Sequence, residues 1–138
     1  MEEAVTLLDS AYKYDPNNFG VWFPLGLAYY RVQKYEESAP FMKKAMDFAR
    51  NENETVSATM YYGICHYYMG KYDEALQILT DAELKYANSD KQPLIKAYIG
   101  LTYKSIENYQ KAVEYLQNAI NAYPMLAGEL NFCINKLR

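Results

Sequence analysis

Histidine occurs once in this chain of 138 residues, tryptophan once and cysteine twice. A single imidazole, His66, leaves no second histidine to complete a metal site of the usual kind. Cys65 and Cys133 are the only cysteines, and two thiols in a helical array suggest no disulfide framework, so a reducing compartment is expected. Basic clusters are missing as well: the longest run is Lys43-Lys44, and the net charge is -3. Nucleic acid and anionic membranes both call for a dense basic patch, so neither is an expected partner. No stretch approaches the roughly 18 apolar residues that a spanning helix needs. The first residues carry Glu2, Glu3, Asp9 and Asp15 and no apolar run with a cleavage site, unlike a signal peptide. Phosphate-cradling glycine strings and the G-x-S-x-G nucleophile turn are also absent.

What remains is a globular composition, 51% apolar and 22% charged, too apolar for disorder and sufficient for one domain with a core. Tyrosine is abundant, with sixteen copies, and it comes in adjacent pairs at Tyr29-Tyr30, Tyr61-Tyr62 and Tyr67-Tyr68. Neighbours on a helix point about 100° apart, so one member of each pair can face the core and the other a different surface. A fixed interval of 37 residues relates Gly26, Gly63 and Gly100, then Tyr35, Tyr72 and Tyr109, then Ala45, Ala82 and Ala119. Such a repeat means one supersecondary unit copied three times, each unable to bury its apolar face alone.

Each unit reads as two helices. The first spans 19–32, with Trp22, Leu25, Tyr29 and Val32 at helical spacing and Asn17-Asn18 as its start signal. The second spans 35–49, with Phe41, Met42, Ala45 and Phe48. The following units give helices over 55–69, 72–86, 91–105 and 109–122. Short turns at Gln33-Lys34, Gly70-Lys71 and Glu107-Asn108 force antiparallel neighbours. Polar stretches at 51–54 and 87–92 read as loops, and Pro93 suits a first helical turn. Residues 1–14 look like a second helix without its first, so the chain reads as part of a longer protein. Residues 126–137 form a closing helix, with Leu126, Leu130, Cys133, Ile134 and Leu137 on one stripe and Phe132 off it.

These residues resemble the tetratricopeptide repeat. Its first-helix pattern W-x2-L-G-x2-Y is met by Trp22, Leu25, Gly26 and Tyr29. The second copy keeps Gly63, with Thr59, Tyr62 and His66 at the other places, and the third reads Lys96, Ile99, Gly100 and Tyr103. The second-helix pattern appears as Ala75, Leu79, Ala82 and as Ala112, Leu116, Ala119, more loosely as Ser38, Met42, Ala45 and as Ala4, Leu8, Ala11. Pro16 and Pro124 close their repeats as the family does, whereas Arg50 and Ala87 depart from it. The family's unit is about 34 residues, so this chain adds three per junction, in the second helix or its loop.

The resemblance implies an all-α, right-handed α-solenoid of antiparallel helix pairs: a half-repeat over 1–18, repeats over 19–55, 56–92 and 93–124, and a cap over 125–138. It also implies a concave groove lined by first helices, here by Phe23, Leu27, Tyr30 and Arg31, by Met60, Ile64, Tyr67 and Tyr68, and by Ala97, Leu101, Lys104 and Ser105. Some members hold an acidic peptide terminus with a clamp of Lys, Asn and Arg. This chain has Phe23, Leu27, Met60 and Ala97 at those places, which favours a partner segment that is apolar or aromatic. The alternative is that Leu27, Ile64 and Leu101 pack between adjacent first helices. His66 stands where Tyr29 and Tyr103 stand in the other copies, a packing position. Glu36-Glu37 and Asp73-Glu74 open second helices, where negative charge suits the helix dipole. Pro24 and Pro40 fall inside helices and can bend them.

The expected function is a non-enzymatic scaffold that grips a protein or peptide, without cofactor or metal, in the cytoplasm. A homodimer or stack built on the open first helix is the competing expectation.

Overall fold

The computed structural model describes residues 18–138, and every regular element within them is helical. The chain divides into two compact units, Met1–Gly70 and Lys71–Arg138. The half-repeat helix expected over residues 1–14 lies outside the described residues.

In the first unit, α1 runs Phe19–Arg31, α2 Tyr35–Asp47 and α3 Glu52–Tyr68. The expected start of α1 is present: the Asn18 side chain accepts a 2.8 Å hydrogen bond from the Gly20 N–H. Helix α3 begins earlier than expected, and the polar stretch at 51–54 is not a loop. Asn51 is an N-cap whose side chain accepts from the Glu54 N–H at 2.9 Å, and the Arg50 guanidinium holds Glu54 at 2.7 Å. Acidic residues and a capping amide make good first-turn chemistry, so polarity here marked a helix start. Pro24 and Pro40 lie inside α1 and α2, which continue through them.

Gly26 lets α1 approach α2 closely. A Cβ at this position would lie 3.0 Å from Met42 Cε. Ser38 Oγ donates a buried 2.7 Å hydrogen bond to the Gly26 carbonyl, joining the two helices at the same level. Phe19, Trp22, Ala45 and Ala58 form a buried cluster against which Phe23, Phe41 and Phe48 pack.

In the second unit, α4 runs Tyr72–Lys85, α5 Gln92–Ser105 and α6 Tyr109–Ala119; a 3₁₀ turn at Pro124–Leu126 leads into α7, Ala127–Lys136. The end of α4 is capped from across the loop, because Gln92 Nε2 donates to the Glu83 and Tyr86 carbonyls at 3.0 and 2.8 Å. Helix α6 stops earlier than the expected residue 122. Tyr123 precedes Pro124 and takes φ -132° and ψ 76°, outside the helical region as a residue before proline should be. Ala112, Leu116, Ala119, Leu126, Leu130 and Cys133 are buried together, so α7 contributes side chains to this unit's core.

The turn after the first helix of each pair has one backbone solution. Gln33, Gly70 and Glu107, one interval apart, have φ of 64°, 78° and 65°. Around Gln33, its N–H reaches the Tyr30 carbonyl and the Lys34 N–H reaches Tyr29, both at 2.9 Å. Around Glu107 the same pair runs to Lys104 at 3.0 Å and Tyr103 at 2.9 Å. This is the left-handed helix stop known as the Schellman motif, and it lets the chain reverse within two residues.

Candidate functional site

Seven aromatic rings of the first unit form a continuous set drawn from α1, α2 and α3. Phe19 stacks on Phe23 at 5.0 Å, and Phe23 meets the edge of Tyr61 at 5.9 Å. Tyr61 stands edge-on to Tyr30 at 5.1 Å, and Tyr30 to Tyr35 at 5.6 Å. Tyr35 lies flat on Tyr68 at 4.5 Å, and Tyr68 meets Tyr67 at 5.0 Å. Offset and edge-on pairs of this kind are each worth about 0.5–1.5 kcal/mol beyond their buried area, so the rings fix one another in place. Five of the seven are half-buried; Phe19 is buried and Tyr68 is 44% exposed. The set is therefore anchored beneath and open above.

Burial favours the neutral form of two groups here. Burial pushes the Tyr35 phenol above its usual range, helped by the neighbouring Cys65. Burial also pushes the Cys65 thiol up, against a smaller opposite effect of its hydrogen bond with Ser38. Both shifts favour the protonated, neutral form, of the Tyr35 phenol in the ring set and of the buried Cys65 thiol beneath it. His66 is held within its own helix: Nδ1 lies 2.8 Å from the Tyr62 carbonyl and the ring sits edge-on to Tyr62 at 4.6 Å.

Of the expected groove residues, Phe23, Tyr30, Tyr67 and Tyr68 belong to the ring set. Leu27 is half-buried and Arg31 is exposed on the same helix. Met60 and Ile64 are 1% and 0% exposed, so they lie in the packing and not on an open surface. In the second unit, Ala97 is buried and Leu101 packs on the core cluster, while Ser105 Oγ donates to the Leu101 carbonyl of its own helix at 3.1 Å. Lys104 faces α7, with Nζ 3.6 Å from Glu129. Phe19, Tyr35 and Tyr61 were not among the expected residues. Tyr35 was visible only as a periodic residue on a second helix, and a face drawn along first helices alone omits it. Among the described residues, no three His, Cys, Asp or Glu side chains gather as a metal ion would require.

The second unit carries a polar recess lined by Glu83, Lys96, Lys111, Glu114, Tyr115, Gln117 and Asn118. Within it the Tyr115 hydroxyl donates to Glu83 Oε1 at 2.9 Å. Burial, then this carboxylate, push the Tyr115 phenol strongly up. Among the described residues, no helix is long and apolar enough to cross a membrane.

Two family models, both described as tetratricopeptide repeat, match residues 20–83 and 99–124. No curated protein matches the chain by sequence. Solved structures similar to it include MamA (41-end) from Desulfovibrio magneticus RS-1. The identity is 22% over 98% of this chain and 75% of that one, with a TM-score of 0.81. A MamA RS-1 double mutant matches at 20% identity over 98% of this chain and 74% of that one, TM-score 0.82. PilF of Pseudomonas aeruginosa matches at 20% identity over 99% of this chain and 61% of that one, TM-score 0.80. These likenesses agree with the all-α helix-pair solenoid expected from the repeat.

Proposed function

This chain belongs to the tetratricopeptide-repeat family, and we propose on that premise that it is a non-enzymatic interaction module. On this reading the aromatic face of the first unit holds an apolar or aromatic segment of a protein partner. The observation that carries the reading is the ring set from Phe19 to Tyr67, fixed by mutual packing yet open at Tyr68. Rigid tyrosines give large contact area at small entropic loss, the character of interface anchors. No cationic clamp stands among them, which favours an apolar segment over an acidic chain end.

The repeat boundaries belong to the same proposal: 19–55, 56–92 and 93–124, with 125–138 as the cap. So does a cytoplasmic setting, in keeping with two cysteines that are free and buried. The test is to select peptides from a display library with the full chain and re-measure them on Tyr67→Ala and Tyr68→Ala. Losing a central aromatic anchor should weaken binding at least about tenfold, with circular dichroism unchanged. Unchanged affinity in both variants would remove this face from the account.

A further inference from the structure

A second surface, in the other unit, combines an exposed ring with unbalanced positive charge. Phe132 lies off the buried stripe of α7 and is 44% exposed. Lys104 Nζ sits 4.9 Å from its ring centre and Lys136 Nζ sits 5.4 Å from it. Tyr109 supports the ring edge-on at 6.0 Å. Lys104 has a partial counter-ion in Glu129 at 3.6 Å. Lys136 faces only the ring, with no carboxylate within ion-pair range among the described residues. Exposed Ile106 and Leu137 are apolar side chains at the ends of α5 and α7.

We infer that Phe132, Lys104 and Lys136 form a docking point for an acidic segment of a protein partner, one in which an apolar side chain is flanked by carboxylates. Charge complementarity selects the occupant. Two ammonium groups against one carboxylate leave a positive patch on a chain of net charge -3. Such a patch gives an incoming carboxylate a counter-ion and the adjoining apolar group a ring to cover. A cation already resting on an aromatic face is partly desolvated, so an ion pair there gains more than one in open water. Two lysines are too few for an anionic membrane, where several basic groups must act together.

The probe is a six-residue peptide with a central phenylalanine flanked by aspartate and glutamate, titrated into the isotope-labelled full chain. Its control carries asparagine and glutamine instead. Amide shifts should concentrate at the end of α5 and along α7, and the control should bind at least about tenfold more weakly. Lys136→Gln should weaken the acidic peptide about threefold or more, and more so at low salt. Phe132→Ser should abolish the preference for a central phenylalanine. Tyr68→Ala should leave this titration unchanged, which separates its outcome from that of the aromatic face on the first unit. No shifts, equal binding of the control peptide, insensitivity to Lys136→Gln, or binding to phosphatidylserine vesicles in place of the peptide would each overturn the inference.

Discussion

Replacing Gly100 with alanine sets helix propensity against packing. Inside a helix, alanine is favoured over glycine by about 0.5–1 kcal/mol. At Gly100, however, the new Cβ would sit 2.9 Å from Leu116 Cδ2, 3.0 Å from Cγ and 3.2 Å from the Leu116 backbone nitrogen. The nitrogen cannot move without shifting α6, and Leu116 is fully buried. Overpacking of this kind costs about 1–3 kcal/mol, so a net loss of about 1–2 kcal/mol is expected. Gly26, two intervals earlier, provides the control. The three atoms nearest its Cβ would all belong to the Met42 side chain, with Cε at 3.0 Å and Sδ at 3.2 Å. A thioether end moves readily, so Gly26→Ala should be neutral within about 0.5 kcal/mol. Urea unfolding followed by circular dichroism measures both variants. A Gly100→Ala chain as stable as the wild type, or less affected than Gly26→Ala, would refute this account of helix contact.

Three further outcomes follow from the turns, the Tyr115 phenol and the second-unit core. Gln33→Gly and Glu107→Gly relieve a left-handed backbone that costs other residues about 1 kcal/mol, so each should raise the unfolding midpoint, while Gly70→Ala should lower it. Tyr115 holds its proton more tightly folded than unfolded, so its contribution is present below pH 10 and lost as pH rises from there. Stability measured between pH 9 and 11 should therefore fall less steeply in Tyr115→Phe than in the wild type. Leu116→Ala empties the middle of the second-unit core and should cost about 2–5 kcal/mol in the same urea assay.

Most of the fold was legible because it is written in single residues at a fixed interval. Gly26 and Gly100 face Met42 and Leu116, as the small-against-large pattern implies. Boundaries were less legible where polar residues serve helix starts, as at Asn51 and Glu54, or where one proline acts backwards, as Pro124 does on Tyr123. The left-handed turn was hidden because two of its three positions are not glycine. The candidate surface was only partly visible. A helical face predicts direction but not depth, so Met60 and Ile64 were placed with Tyr67 and Tyr68 although they are buried. Ring contacts between helices, such as Tyr35 on Tyr68, have no trace in either helix's own pattern.

Central to the account is a partner segment resting on the rings of the first unit. Intermolecular nuclear Overhauser effects between a selected, labelled peptide and this chain locate that contact directly. Cross-peaks are expected from the peptide's apolar side chain to the Tyr68 and Tyr35 ring protons. A bound peptide with cross-peaks elsewhere and none to these rings would contradict it.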